Sequence, residues 1–541
     1  MSNNTNVEKN KNSKKFDIIH LLDNSQKKCF TILIILGAIS LSLRLYFFPE
    51  NLPLVGDASG YFWYANDISI LGYFPEGHSS AFVGSTPPNN AWPGFLSLFF
   101  SLSDSNNFLD YVNIQRLLTI TISTITIVPL YFLSKKFMSG SFAIISATAF
   151  TFAPRLIENS ILGLTEPLFL LLGVTSLCLF LSDKKYLVIL SFGIVALFSM
   201  VRYEGLLILI PFSIIFFLRF QKNKKTILKY FLAIGIFLLI ILPMVAIRMD
   251  TTGQDGLTSH IIHGPTYYAS MMEDNKNENM LLEFSKKGIS YLFKYLAFVT
   301  VPMFIIFIPY GIFELLKNRD FKKWTVILVG LVFLIPAFYA YSRGFQDTRY
   351  LFILYPIMCL MVGYTIKRFS EKTRKPNLLF YFCLVAIISV SISFSSFTIN
   401  DFDEEKEMYE ISKDIHKLAE TINDKYSGSM YLKWSGSTIV NVFPILHSDL
   451  DDKNIKKVKN VGIRDKNFED IETYLVHGKS LGLTHLVLDG NNMGTEIFQE
   501  VFFNEDRYPF LEKIYDSSEL GMKKHVKIFE INYQKLKIIL E

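Results

Sequence analysis

Long apolar segments recur along this chain and limit the folds that it can adopt. Half of its 541 residues are hydrophobic, and they fall in blocks of roughly 20 residues. An α-helix of that length crosses about 30 Å of hydrocarbon, so the pattern predicts a polytopic α-helical membrane protein with about 11 transmembrane helices. The eleven segments are 29–49, 114–134, 139–156, 163–182, 186–201, 205–220, 227–247, 293–316, 324–341, 350–366 and 376–398.

One further apolar stretch, 92–103, is too short for a span of this kind and follows a double proline. We interpret it as a re-entrant or interfacial helix, with a twelfth span as the alternative.

The positions of lysine and arginine indicate how the segments are oriented. Positive charges are enriched in cytoplasmic loops, and the loop 50–113 has neither lysine nor arginine. We therefore predict a multi-pass protein of the cell membrane with a cytoplasmic N-terminus. The loops predicted to be cytoplasmic carry Lys135, Lys136, Lys184, Lys185, Lys222, Lys224, Lys225, Lys317, Arg319, Lys322, Lys323, Lys367, Arg368, Lys372, Arg374 and Lys375.

The composition changes near residue 400, where the chain becomes polar. The apolar spacing of Met408, Ile411, Ile415 and Leu418 predicts a helix over 401–424, and later β-rich runs predict strands. We expect a small extracytoplasmic α/β domain. The predicted parts are a cytoplasmic N-terminal tail (1–28), a transmembrane domain (29–399, with 50–113 as the first extracytoplasmic loop) and the α/β domain (400–541).

Asp57 is the most informative acidic residue, because it lies in the cation-free first loop just after the first segment. It could cap the short helix predicted at 58–70, or it could accept a proton as a general base. Tyr61 and Trp63 follow it and could stack on a sugar or rest at the membrane interface. Further charged residues gather at the same predicted end of the bundle, and they could equally pair with each other. They are Arg44, Asp67, Arg116, Arg155, Glu158, Glu166, Arg202, Glu204, Arg343, Asp347 and Arg349.

Several motifs, in order, resemble the GT-C class of integral-membrane glycosyltransferases, and most of all its branch of protein O-mannosyltransferases and aminoarabinose transferases. Each motif is weak alone, but together they cover about residues 29–370. They are Asp57, Thr86-Pro87-Pro88, Trp92-Pro93-Gly94, Arg116-Leu117-Leu118, Pro154, Thr165-Glu166-Pro167-Leu168, Val201-Arg202-Tyr203-Glu204-Gly205, Arg349-Tyr350-Leu351 and Pro356.

The resemblance implies transfer of a sugar from a polyprenyl-phosphate donor to an acceptor hydroxyl of a protein, lipid or glycan, with inversion, on the extracytoplasmic face of the bilayer. Asp57 would be the general base. Glu166, Tyr61 and Trp63 would bind acceptor or sugar. The donor phosphate would be held by Arg349, Arg202 and Arg155.

The chain also departs from the family pattern. The family's basic residue near the Pro-Pro segment is missing, and so is the Trp-Trp-Asp-Tyr-Gly signature of oligosaccharyltransferases. The pair His260 and His263 is too small for a closed metal site, so no metal ligand is assigned, although a divalent metal is left open as a cofactor. The net charge of +5 is small, and no nucleic-acid partner is predicted.

Two other functions fit a multi-span chain. A transporter or lipid-carrier flippase would place charges near the bilayer midplane and carry inverted repeats, neither of which the sequence shows. A non-catalytic scaffold would recruit partners through its exterior domain.

Overall fold

The protein is a bundle of helices followed by a sheet domain. The computed structural model describes residues 18–76, 90–105, 107–220, 223–259, 262, 280–317, 320–399, 402–422, 429–435, 457–461, 463, 468–490 and 495–541. The Pro-Pro segment at 86–88 and the pair His260 and His263 lie outside the described residues. The bundle helices are α1 (Ile18–Asn24), α2 (Gln26–Tyr46), α3 (Asp57–Leu71), α4 (Ala91–Phe100), α5 (Phe108–Ile125), α6 (Ile127–Ser134), α7 (Gly140–Thr151), α8 (Pro154–Ile161), α9 (Glu166–Phe180), α10 (Lys185–Val201), α11 (Leu209–Arg219), α12 (Lys224–Thr252), α13 (Met280–Thr300), α14 (Ile308–Leu316), α15 (Phe321–Ser342), α16 (Tyr355–Lys372) and α17 (Pro376–Thr398).

Helices occupy every one of the eleven predicted segments, but fewer meet the length of a span. Among the described residues, six helices are long and apolar enough to cross a membrane, and a seventh is gained if α7 and α8 count as one bent span. Helices α9 and α10 have 15 and 17 residues. At 1.5 Å per residue they reach only about 22 to 26 Å, so the count of eleven stays a prediction.

Several predicted spans are broken rather than continuous. Pro154 opens α8, and because proline lacks an N–H and clashes with the preceding turn, α7 ends there and α8 leaves at 50°. The segment predicted at 205–220 divides into the 3₁₀ helix Tyr203–Ile208 and α11. The segment at 293–316 divides into α13 and α14 around a turn at 301–307.

Where the structure describes it, the first loop is mostly helical. Gly56 precedes α3 with φ of 59°, a backbone conformation that favours glycine, and Gly72 ends the helix with φ of 74°. The apolar stretch predicted at 92–103 forms α4, whose ten residues span about 15 Å and cannot cross a membrane. Its Trp92 and Leu96 are fully buried against α3 and α5, in one apolar cluster.

The tail predicted at 1–28 is helical where it is described. Helix α1 belongs to the bundle, since the N–H of Ile19 donates to Asn377 and Asp23 accepts from the N–H of Ser141.

The domain that follows begins with α18 (Asp403–Ile422), which confirms the helix predicted there. The strands that the structure describes are β1 (Ser429–Ser435), β2 (Lys457–Asn460), β3 (His485–Asp489), β4 (Leu511–Asp516) and β5 (Val526–Ile531). They form one sheet of order β2-β1-β3-β5-β4, in which β1 is parallel to β2 and β3, and β5 is antiparallel to β3 and β4. Helix α18 covers one face of the sheet, and three later helices cover the other. The later helices are α19 (Ile471–Ser480), α20 (Glu496–Phe503) and α21 (Tyr533–Leu540).

The sheet domain contacts the bundle close to Asp57. Val55 packs on the apolar cluster that joins α18 to the sheet, which includes Met408, Ile411 and Ile528. Ile399 and Phe402, at the connection into α18, pack on α5 and α8. The domain is therefore docked on the elements that come just before and beside Asp57.

We expect Leu486→Ala to destabilise the sheet domain by about 2–5 kcal/mol, because Leu486 is fully buried in the central strand β3 and its loss leaves a cavity. Thermal unfolding of the full-length protein in detergent measures the change. Val476→Ala is the control, since Val476 is half exposed on α19, and it should change stability by less than about 0.5 kcal/mol. Equal melting temperatures for the two variants would contradict the assignment of the core.

Candidate active site

Asp57 is held at the start of α3 by Gly56. Gly56 occupies the capping position and Asp57 is the first helical residue, so Asp57 does not act as the N-cap. Its side chain is 59% exposed, and its Oδ2 accepts a hydrogen bond from Nη1 of Arg349 at 3.1 Å. The carboxylate lies in the first turn of α3, at the positive end of the helix dipole.

Helix α5 fixes the backbone on both sides of Asp57. The buried guanidinium of Arg116 donates to the carbonyls of Pro49 at 3.0 Å and Pro53 at 2.9 Å, and also to that of Leu52. The side-chain amide of Gln115 donates to the carbonyl of Ala58 at 3.1 Å. Asp57 is therefore presented from a segment with little freedom to move.

Arg349 connects three carboxylates. It lies in the 3₁₀ helix Thr348–Leu354, which Asp347 caps by accepting from the N–H of Arg349 at 2.8 Å. Its Nε donates to Oδ2 of Asp347 at 2.6 Å. Its Nη1 lies 3.1 Å from Asp57 and 3.7 Å from Oε1 of Glu166.

Glu166 lies behind Arg349 and is 2% exposed. It opens α9 and accepts from Nη1 of Arg202 at 2.6 Å, while Nη2 of Arg202 donates to Glu204 at 3.0 Å. Charges of opposite sign thus alternate from Asp57 to Glu204. A buried carboxylate is stable only when it is paired in this way.

A second pair lies on α8. Nη1 of Arg155 donates to Oε2 of Glu158 at 3.2 Å, and its guanidinium lies 5.6 Å from the ring of Phe394. Among the described residues, Arg155 has one carboxylate partner, whereas Arg349 has three.

A cavity of about 370 Å³ opens between these elements. Asp57, Arg155 and Arg349 line it, so three of the sequence-predicted site residues share one cavity. The buried Glu166 and the partly buried Arg202 form an ion pair beside it and do not line it. The lining residues are Val55, Gly56, Asp57, Arg116, Arg155, Glu158, Asn159, Leu162, Leu164, Asp347, Thr348, Arg349 and Phe352.

The two aromatic residues predicted to bind sugar do not line this cavity either. Trp63 is 2% exposed and packs edge-on against Phe62, with 5.2 Å between ring centroids. Its ring therefore belongs to the apolar core of the first loop. Tyr61 is partly buried, and burial raises the pKa of its hydroxyl, which is also subject to the charges of Arg202 and Glu166. The hydroxyl is therefore protonated at neutral pH.

Sequence reasoning did not assign roles to Asp347 or Glu158, although both line the cavity. The signal for Asp347 is its spacing of two residues from Arg349, which suits a cap and an ion pair. Within the described ranges, no group of three or more His, Cys, Asp or Glu side chains could hold a metal ion.

An apolar groove of about 640 Å³ lies between α13, α14, α15 and α16. All of its lining side chains except that of Thr300 are apolar, among them Leu331 and Met358. Leu354 lines this groove, and Arg349, five residues earlier in the same 3₁₀ helix, lines the polar cavity. At about 2 Å per residue, the two positions are about 10 Å apart along the helix.

Solved structures share this architecture. ArnT from Cupriavidus metallidurans in the apo state is 10% identical, with a TM-score of 0.56 over 94% of this chain and 99% of that chain. The oligosaccharyltransferase AglB from Archaeoglobus fulgidus is 12% identical, with a TM-score of 0.54 over 85% of this chain and 69% of that chain. The arabinofuranosyltransferase AftD from Mycobacteria is 12% identical, with a TM-score of 0.52 over 92% of this chain and 41% of that one. At these identities the likeness concerns the fold, which is that of GT-C enzymes.

A search of curated protein sequences found no match. The model of the Alg9-like mannosyltransferase family matches residues 89–432, more than half of the chain, in a range that begins after Asp57 and includes Arg155, Glu166, Arg202 and Arg349. The chain therefore belongs to the Alg9-like mannosyltransferase family and is a membrane glycosyltransferase with the GT-C fold.

Proposed function

We propose that the protein transfers a sugar from a polyprenyl-phosphate donor to an acceptor hydroxyl at the cavity, with Asp57 as the general base. The observation that carries the proposal is the exposed carboxylate of Asp57 beside Arg349 in a cavity that Arg155 also lines. A base, two cations and space for a sugar are the parts that such a transfer needs.

The proposed reaction is a single displacement. The acceptor oxygen attacks the anomeric carbon, the bond from that carbon to the phosphate oxygen breaks, and the hydroxyl proton passes to Asp57. One displacement inverts the anomeric centre. Arg349 engages Oδ2 of Asp57, and no described residue forms a hydrogen bond with Oδ1, which leaves that oxygen for the acceptor hydroxyl.

The departing phosphate gains negative charge, and fixed cations stabilise it without a strong general acid. Arg155 and Arg349 are the proposed contacts. Fewer carboxylates compete with the donor phosphate for Arg155 than for Arg349, because Glu158 is the one ion-pair partner of Arg155 among the described residues. Arg202 is bound to Glu166 and Glu204 and does not line the cavity, so we propose a supporting role for it.

The apolar groove supports a lipid-linked donor. A phosphate at Arg349 and an apolar chain in the groove would be joined across one 3₁₀ helix. AglB has been solved in complex with a dolichol-phosphate and ArnT bound to undecaprenyl phosphate. We propose the same class of carrier here, with a glycan, lipid or protein as acceptor.

We also propose an extracytoplasmic site. The cation-rich loops predicted to be cytoplasmic join the opposite ends of the helices, and the loop that carries Asp57 has no lysine or arginine. Membership in an enzyme family gives no support to the transporter and scaffold alternatives.

Asp57→Asn is expected to lower kcat by about 10²–10⁴-fold, the contribution of a positioned general base, with little change in the KM of the donor. Transfer of a radiolabelled sugar from a defined polyprenyl-phosphate donor measures it. Asp104→Asn, an exposed acid of the same loop that does not line the cavity, is the control and should retain activity. Full activity of Asp57→Asn would rule out Asp57 as the base.

Arg155→Gln should raise the KM of the donor about 10- to 100-fold, because a hydrogen bond to a charged group is worth about 1.5–3 kcal/mol. Arg219→Gln is the matched control. Arg219 donates to the carbonyl of Phe180 at 2.9 Å, at the C-terminal end of α9. Glu166, beside the cavity, is at the opposite end of that helix, so Arg219 lies far from the cavity. An unchanged donor KM in Arg155→Gln would remove this residue from the phosphate site.

Leu331→Trp should partly fill the groove. Displacing about 50 Å² of apolar contact costs about 1.3 kcal/mol, or roughly tenfold in the KM of a long-chain donor. The KM of a donor with a short chain should change little, because such a chain does not reach the groove. Leu239→Trp, at an exposed position on α12 that does not line the groove, is the control. Equal effects on both donors would argue against the groove as the chain site.

A further inference from the structure

Arg44 lies in the last turn of α2 and has no exposed surface. Its Nε donates to Oγ of Ser160 at 3.0 Å, and its Nη2 donates to Oγ of Ser123 at 3.1 Å and to the carbonyl of Thr151 at 3.0 Å. Its Nη1 donates to the carbonyl and hydroxyl of Ser40. Among the described residues, no carboxylate forms an ion pair with it. Burying a charge without an ionic partner is costly, and the hydrogen bonds of Arg44 are what offset that cost here.

The hydrogen bonds of Arg44 join the two sides of a helix break. Thr151 is the last residue of α7, and Ser160 lies in the last turn of α8. The final carbonyls of a helix have no partner within it, and Pro154 removes an N–H that could have continued α7. Arg44 therefore satisfies the end of one helix and holds the far end of the next.

The orientation of helix α8 depends on its contacts with neighbouring helices. It has eight residues, and helices this short depend on tertiary contacts. Thr119 adds a second attachment by donating to the carbonyl of Ser160 at 2.7 Å. Between the break and these attachments lie Arg155, Glu158 and Asn159, all of which line the cavity.

We propose that Arg44 is a positioning residue, which sets the angle of α8 and thereby places Arg155 in the cavity. The proposal rests on the proposed function in one respect, the role of Arg155 at the donor phosphate. Arg44 itself does not line the cavity and touches no substrate.

The test is a double-mutant cycle on the full-length enzyme in nanodiscs, with a defined polyprenyl-phosphate sugar as donor. Arg44→Gln should raise the KM of the donor by a factor close to that of Arg155→Gln. The double variant should be no worse than Arg155→Gln alone, since Arg44 acts through that side chain. Arg44→Lys should recover little, because the ammonium has one nitrogen atom in place of the three with which Arg44 reaches Ser160, Thr151 and Ser40.

Arg219→Gln is the control for loss of a buried guanidinium that caps backbone carbonyls away from the cavity. Any change that Arg219→Gln makes to the donor KM should multiply with the change made by Arg155→Gln. If Arg44→Gln fails to insert, Ser160→Ala replaces it, because this change removes one acceptor of Arg44 and leaves the helices intact. Ser160→Ala should raise the donor KM by a smaller factor than Arg44→Gln. It should not raise the donor KM further in the Arg155→Gln background.

Two results would overturn the inference. Factors for Arg44→Gln and Arg155→Gln that multiply would show independent roles, and a variant with lower yield but an unchanged donor KM would show a role in folding alone. An unchanged KM in Arg155→Gln itself would instead count against the proposed phosphate site, so the two failures are distinguishable.

Discussion

The arrangement of the site depends on the buried carboxylate of Glu166. It binds Arg202 at 2.6 Å and lies 3.7 Å from Arg349, so one acid restrains two arginines that come from different parts of the chain. Leaving one partner of a buried ion pair uncompensated costs about 3–5 kcal/mol, which ties the positions of α9 and the two 3₁₀ helices to each other. Arg349 in turn meets Asp57, 292 residues away in the sequence.

Several residues of the cavity could be predicted from the sequence, because charged residues are rare in apolar segments and are noticed there. Asp57, Arg155 and Arg349 were predicted as site residues and line one cavity, and the amphipathic spacing of α18 and the β-rich runs predicted the sheet domain. Membership in a glycosyltransferase family with the GT-C fold agrees with the resemblance found in the motifs.

Other features depend on packing that spacing does not reveal. Helix α3 is buried on more than one side, so the sequence could not show that Trp63 packs inward. The burial of Glu166 could not be predicted, because its partners Arg202 and Arg349 lie far away in the sequence. The break at 301–307 lies inside a continuous apolar run, so composition does not reveal it. The break before α8 is visible in the sequence, where Pro154 is followed by the charged residues Arg155 and Glu158.

The contact of Val55 with the sheet domain has a consequence for biosynthesis. The apolar cluster that supports Val55 includes Val526 and Ile528, which the ribosome adds more than 450 residues after the loop that precedes Asp57. A nascent chain that already spans the membrane therefore lacks the contact of Val55 with the sheet domain until residue 528 has left the ribosome. Until then the loop relies on contacts within the bundle, such as those of Arg116 with Pro49 and Pro53, and the sheet domain adds its support last.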